Sequence, residues 1–374
     1  MDALPVVIDS GSGVTKAGFA GSDAPRVKMR SYVGRLKHKR VIPGGALDSM
    51  KDDSFVGVRA DEHKGVLLLS YPMENGVVKN WGDMEKIWSY IYSRENLNVR
   101  SEDHAVLLTE APLNPTSQRA KAAELFFEGM NAPALYFSMQ AILSLYASGR
   151  TSGVVLDSGD GVSHSVPVYE GFALPHAISR VDFAGKDVTT YLKLLLRKSG
   201  YNFNTSAELE TVRHMKEECC VVAANIEGKK SDETYNYQLP DGQTVTIGSE
   251  AYRAPEVLFQ PRIVGNECLS VHDCLAQSIM KADLDVRRLL FGQIVLAGGS
   301  TLFPGFGNRI LKELKSHPLT PAQTKIRVAA PPERIHSTWI GGSILASLTT
   351  FQSMYTSRAE YLENGYRCLD HMIE

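Results

Sequence analysis

Residues 6–16 read VVIDSGSGVTK and residues 154–164 read VVLDSGDGVSH, nearly the same eleven letters about 148 positions apart. In each copy an apolar run ends in Asp, two Gly residues follow with one residue between them, and Val and a hydroxyl residue come next. The pattern predicts a strand, a tight turn and a second strand. A dinucleotide-type glycine loop would need a third Gly at the right spacing and a helix behind it, and neither occurs. Gly11, Gly13, Gly159 and Gly161 are expected to allow positive φ and to let backbone N–H groups approach a ligand closely. Asp9 and Asp157 close their strands beside the turns, where a carboxylate can meet a hydrated magnesium ion held mainly by phosphates. Taken singly, each turn is ordinary Asp-Ser-Gly chemistry. The duplication implies two related halves that face each other and grip a nucleotide from both sides. Lys16 then offers a point charge for phosphates, and His164 a polar group able to orient water or accept a proton.

At 374 residues the chain suits two domains. With 43% apolar and 22% charged residues it has the composition of an ordinary globular protein. Lys plus Arg is 40 against 42 Asp plus Glu, so no basic excess points to nucleic acid, and the short run KHKR (37–40) reads as a solvated loop. The opening MDALPVVIDS lacks a positive n-region and an apolar h-region. No run of 18 apolar residues and no prenylation ending occurs. A cytosolic or nuclear protein without membrane insertion is expected. Five cysteines at irregular spacing fit a reduced compartment and match neither a disulfide framework nor a zinc site; Cys219 and Cys220 read as packing residues on a helix.

Strand and helix signals alternate along the whole chain, which places it in the α/β class. VIPGGALDSMKDDSF (41–55) reads as an exposed excursion. WGDMEKIWSYIYSREN (81–96) carries Trp81, Met84, Ile87, Trp88 and Ile91 at helical spacing, as a core-facing helix does. AVLLTEAPLNP (105–115) is a buried strand entering a loop, 118–131 a helix, and 139–149 a helix ended by Gly149. The halves meet near residue 150. Beyond it come helices over 186–200 and 205–225, the second with Thr205 and Glu208 spaced as a capping box. A mobile loop is expected over 225–236, then a hairpin over 237–248 turning at Asp241 and Gly242. QIVLAGGSTLFPGFGNRILKELK (293–315) gives strand, turn and helix, and TWIGGSILASLTTF (338–351) a helix whose small residues allow close packing. Gly298, Gly299, Ser300 and Thr301 form a third Gly-rich turn, either structural or in contact with phosphates or sugar. Lys216 and Glu217 are solvated charges by default, or contacts to a base or ribose. Gln140, placed mid-helix, is a buried amide in need of partners, or a group that holds an attacking water beside His164.

The paired DSGxGV hairpins, TEAPLNP, LSLYASGRT, DSGDGVSHSVPVYEGFALPHAI, YQLPDGQTVTIG, GGSTLFPGF and APPERIHSTWIGGSILASL together resemble the actin family over essentially the whole chain. SMQAILSLYASGRTSGVVLDSGDGV, EGFALPHAI, LRKSGYNF, GGSTLFPGFGNRIL and STWIGGSI are similar to its centractin branch, which forms the short filament of dynactin. The resemblance implies an actin-like ATPase fold. One lobe spans 1–150, with an exposed insertion near 35–70; a second spans 151–374, with 338–374 packing back on the first. It also implies ATP or ADP with Mg²⁺ or Ca²⁺ in the cleft. The matching contacts are Ser12, Gly13, Val14 and Lys16, then Gly159, Asp160, Gly161 and Val162, and Gly299, Ser300 and Leu302, with Lys216 and Glu217 at the nucleoside. Asp9 and Asp157 match the metal positions, through water, and Gln140, His164 and Asp157 the positions that arrange the attack. Hydrolysis would then be slow until assembly, resting on positioning and electrostatics.

Three departures from the family pattern stand out. Asn75 replaces a His in YPMENG, Ile335 replaces a Lys at the base, and the ending RCLDHMIE lacks the usual basic and aromatic tail. The stretches 41–55 and PRIVGNECLSVH (261–272) match the loops by which family members grip one another. Val41, Ile42, Met50, Ile263, Val264 and Leu269 are the apolar residues they offer to subunit contacts. The expected partners are further copies of the chain, dynactin subunits, capping protein and actin, with dynein reached indirectly, at cytoskeletal sites such as the centrosome or microtubules. Three other readings stay open: a sugar kinase or chaperone ATPase on the same duplicated architecture, a conventional actin, and a nuclear actin-related subunit of a chromatin remodeller.

Overall fold

A computed structural model describes residues 3–37, 54–224 and 234–373. Both quoted stretches are antiparallel hairpins. Val6–Ser10 pairs with Val14–Phe19, and Gly153–Ser158 with Ser163–Tyr169. The leading strand of each is buried along its whole length, as expected where helices cover both faces of a sheet.

Each hairpin seeds a sheet of the same design. Val6–Ser10 is flanked in parallel by Val106–Glu110, and that strand by Ala134–Met139. Gly153–Ser158 is flanked in parallel by Ile294–Ala297, and that strand by Val328–Ala329. On the other side each hairpin continues antiparallel, to Val27–Arg30 in the first sheet and to Phe172–Ala173 and Ser179–Val181 in the second. A small separate sheet of Phe55–Val56, Val33–Leu36 and Leu67–Ser70 stands beside the first.

Two helices lie between the large sheets. Gln140–Ala147 packs Ala141 and Leu145 into a cluster with Val155, Val166 and Val295 of the second sheet, while its Leu143 joins Val7, Leu107 and Trp339 on the first. Ser337–Ser347 crosses it closely. A Cβ on Gly341 would stand 1.8 Å from the Leu143 carbonyl oxygen, so only glycine fits at the crossing. Trp339 donates its indole N–H to the Val7 carbonyl at 3.0 Å, tying this late helix to the first strand, and Thr356–Ser357 adds a strand beside Ala134–Leu135.

Most predicted elements are present, with shifted ends. The helix expected over 118–131 begins at Thr116, directly after Pro115, and its last turns, Leu125–Gly129, widen to a π-helix. The capped helix Ser206–Cys219 has its capping box: Glu208 N–H donates to Thr205 Oγ1 at 3.2 Å and Thr205 N–H to Glu208 Oε2 at 2.9 Å. It ends at Cys219 rather than near 225, and Cys219 and Cys220 are buried. On helix Trp81–Tyr92, Met84, Ile87, Trp88 and Ile91 are buried in the core of the first sheet, and Trp81 packs against it partly buried. Val41, Ile42 and Met50, and most of the loop expected over 225–236, lie outside the described residues. In the other expected contact loop Ile263 and Val264 are 44% and 38% exposed. Leu269 packs instead against the core of its own sheet, because Ser270 starts the buried helix Val271–Lys281 just behind it.

Candidate functional site

The two hairpins meet across a cavity of about 470 Å³, and the residues matched to nucleotide, metal and catalytic positions line it, whereas Thr301 of the third turn does not. The hairpins share one register, so Asp9 lies opposite Lys16 in the first and Asp157 opposite His164 in the second. Three donors hold the Asp9 carboxylate. Lys16 Nζ donates to Oδ2 at 2.9 Å, while Thr109 Oγ1 and Gln140 Nε2 donate to Oδ1 at 2.8 Å and 3.1 Å. Gln140 is the first residue of its helix, not a mid-helix one. Strand Ala134–Met139 runs directly into the helix, which sets the amide on the cavity wall.

The hairpin glycines act by a different route from the one expected. None of Gly11, Gly13, Gly159 or Gly161 has positive φ. What two of them supply is room across the cleft. A Cβ on Gly13 would lie 2.7 Å from Asp160 Cβ, and one on Gly161 would lie 2.9 Å from Ser12 Oγ. The left-handed glycine is in the third turn. Gly298 has φ +84, and a Cβ there would fall 2.3 Å from Asp157 Oδ1. Ser300 Oγ donates to the Gly159 carbonyl at 2.6 Å, which ties the third turn to the second hairpin.

Burial and nearby charge set the ionisation of the site. Asp157 is pushed up to about 7 by burial and then by the Asp9 charge, with Lys16 acting the other way. His164 is pushed down to about 3 by burial and then by Arg180. Its ring is therefore neutral at physiological pH, yet neither ring nitrogen has a hydrogen-bond partner among the described residues. A buried imidazole normally satisfies both, so the ring is built for a group or water inside the cavity. Lys216 is buried rather than solvated, and donates to the Gly185 carbonyl at 2.9 Å; burial lowers its pKa, with Asp160 opposing. Burial raises the Glu217 carboxyl, but the Arg30 guanidinium 3.3 Å away, together with Arg213 and Lys216, outweighs it and holds the group below its usual value.

A ring of small polar groups around a neutral histidine and two buried carboxylates can orient water and receive a cation shared with an anionic ligand. A family model described as Actin matches residues 2–373. An "Actin-like protein" from Neurospora crassa is 52% identical over 370 residues, covering 96% of this chain and 96% of that protein.

The chain belongs to the actin family.

Several residues of this actin-family site carried little signal in the sequence. Arg180 donates to the Asn75 carbonyl at 2.6 Å and to the Pro112 carbonyl at 2.8 Å, joining two loops behind His164. Asn75 itself takes φ 48, a conformation Asn tolerates better than most residues. Gly185 is needed because a Cβ there would lie 2.6 Å from Ser300 Oγ. Arg213 lines the cavity one turn before Lys216, and that i, i+3 spacing was the one available hint. Ile335 also lines the cavity, where a Lys was the family expectation.

Proposed function

We propose that this actin-family chain binds ATP or ADP with Mg²⁺ or Ca²⁺ between its hairpins and assembles head to tail into a short filament, the backbone of a dynactin-like complex supporting dynein-driven transport along microtubules. The observation that carries the nucleotide reading is the convergence of both DSGxGV turns on one cavity that holds a buried His164 with no hydrogen-bond partner among the described residues. The residues fit the group. Lys16, Ser12 and the backbone of both turns would receive the phosphates, and Lys216, Glu217 and Leu302 the nucleoside. Among the described residues no cluster of three or more His, Cys, Asp or Glu could hold a metal ion. Asp9 and Asp157 would therefore hold a divalent ion largely through water, with phosphate oxygens completing its shell. Asp9, already bonded to three donors, suits that indirect role.

The bound nucleotide would supply an anhydride whose slow hydrolysis accompanies assembly. The protein contributes position: Gln140, fixed through Asp9 and Thr109, and neutral His164 would orient a water, and neither is placed as a covalent nucleophile. The two matching sheets are proposed as the cores of lobes 1–150 and 151–374. The exposed pair Ile263 and Val264 supports a contact between copies, and a repeated head-to-tail contact builds an open filament unless something limits it. The centractin-like strings, together with a relative described as actin-like, favour an actin-related role over a conventional actin. The proposed setting is the cytoplasmic cytoskeleton. No helix among the described residues is long and apolar enough to cross a membrane.

The test is mass spectrometry of what copurifies with the tagged protein from its own cells, with ATP and Mg²⁺ present. Capping protein, actin and dynactin shoulder subunits would support the reading. Remodeller subunits or myosins in their place would sink the dynactin assignment and leave the actin-family fold standing.

A further inference from the structure

We infer that a second cavity, at the opposite end of the second large sheet from its hairpin turn, binds a small polyol carrying two or more phosphate groups. Three parallel strands begin there side by side: Gly153–Ser158, Ile294–Ala297 and Val328–Ala329. The links that lead into them, 149–152, 292–293 and Arg327, wall a cavity of about 650 Å³, a size usual for small-molecule sites. Gly153 lets two of these links close on each other. A Cβ on it would fall 2.7 Å from the Gln293 carbonyl oxygen, which accepts the Val154 N–H at 2.9 Å.

Charge decides what this cavity can hold. Arg150 and Arg327 line it, and no Asp or Glu is among the described residues that do, in a chain whose formal net charge is −2. Arg150 follows helix Gln140–Ala147 and is half-buried, and its Nη1 is closed off from solvent with no hydrogen-bond partner among the described residues. Neither arginine side chain has a hydrogen bond or an ion pair among those residues. A guanidinium nitrogen shielded from water and left without an acceptor is costly, and buried donors in native proteins find one. An anion in the cavity, met by a small rotation of the Arg150 side chain, supplies it. The arginine fork matches phosphate oxygens two at a time, and two arginines on separate links ask for more than one such group. The neutral donors fit the same ligand. Ser152 Oγ accepts the Glu170 N–H at 2.9 Å, which leaves its hydrogen to donate, and Thr151 and Gln293 add a hydroxyl and an amide. No aromatic ring lines the cavity among the described residues, so a base has nothing to stack on, and a hydroxyl-bearing carbon skeleton suits the walls better than a nucleotide.

Inositol hexakisphosphate is the soluble probe, and phosphatidylcholine vesicles with and without phosphatidylinositol bisphosphate are the membrane probe. Calorimetry and vesicle sedimentation are run on the full chain at about 0.15 M salt, where diffuse attraction is screened, for wild type, Arg150→Gln, Arg327→Gln and Arg288→Gln. Arg288, on the neighbouring helix, does not line the cavity. Neither Arg150 nor Arg327 lines the cavity between the hairpins, so their variants separate the two sites. Wild type is expected to bind the hexakisphosphate at one site, with affinity about tenfold or more weaker in Arg150→Gln and Arg327→Gln, the size of a lost hydrogen bond to a charged group. Arg288→Gln is expected to change it less than about twofold. Without the probe Arg150→Gln should melt where wild type does, and it should lose the upward shift the probe gives wild type. Uptake of the free probe alone assigns a soluble ligand, and capture by the bisphosphate vesicles assigns a lipid headgroup; either upholds the site. No saturable binding of either probe by wild type overturns it, as does equal weakening in all three variants, which marks diffuse attraction. Melting of Arg150→Gln far below wild type without probe overturns it by showing that the guanidinium serves the fold. Displacement of the hexakisphosphate by polyglutamate at matched charge overturns it in favour of a site for acidic protein segments.

Discussion

His164 shows how a single side chain can be poised by what surrounds it. It is 2% exposed, unpartnered at both nitrogens among the described residues and pushed down to about 3. Its folded pKa lies below its unfolded value, so the neutral form that suits the fold is fully present above about pH 6.5. As pH falls below that, the unfolded chain takes up the proton and the native state does not, and stability declines until the folded pKa is reached. Wild type is expected to lose up to about 1.4 kcal/mol per pH unit more than His164→Gln between pH 6.5 and pH 4, and nothing extra above pH 7. Urea unfolding of both proteins across that range checks it, and parallel curves would show that the ring is satisfied by water. Asp157 moves in the opposite sense, but it is common to both proteins and drops out of the difference.

Among the elements, the crossing of Gln140–Ala147 by Ser337–Ser347 ties the two large sheets together. The Gly341 position touches the Leu143 carbonyl too closely for any side chain. Gly341→Ala is expected to destabilise by about 3 kcal/mol, the upper range for overpacking a core. On the exposed side of the same helix, Ser347→Ala should change stability by less than about 0.5 kcal/mol. Chemical denaturation of the pair separates the crossing from ordinary helix propensity, and equal stabilities would refute the close approach. The helix was legible from TWIGGSILASL because small residues at that spacing permit contact. Which carbonyl it meets was not, since Leu143 lies almost 200 residues earlier in the chain.

For the whole molecule, ligand and assembly are the two levers. If Mg²⁺-ATP binds as proposed, a concentration one hundred times its dissociation constant stabilises the protein by about 2.7 kcal/mol. Asp157→Asn is expected to lose the part of that shift that depends on the divalent ion, which a thermal melt with and without chelator reports. Ile263 is 44% exposed in the loop proposed to contact another copy. Ile263→Asp should therefore leave the melting of the single chain within about 0.5 kcal/mol of wild type while removing polymer from a sedimentation assay. Polymer in undiminished amount would show that this loop is not a subunit contact.

The duplicated DSGxGV letters determined the most by themselves. They specified both hairpins and the placement of Asp9, Lys16, Asp157 and His164, because alternation, turn residues and strand-ending carboxylates are local properties that a sequence carries in order. The capping box at Thr205 and Glu208 was readable for the same reason. What the tertiary structure alone decided is how separate segments meet. Gly13 and Gly161 serve close approach to the opposite hairpin rather than positive φ, and Lys216 is buried against Gly185. Arg180 and Arg213 join the site from elements whose letters look like ordinary surface helix and loop. Each of these depends on two segments far apart in the chain arriving within a few ångströms, and pairing of that kind is set by packing, not by local composition.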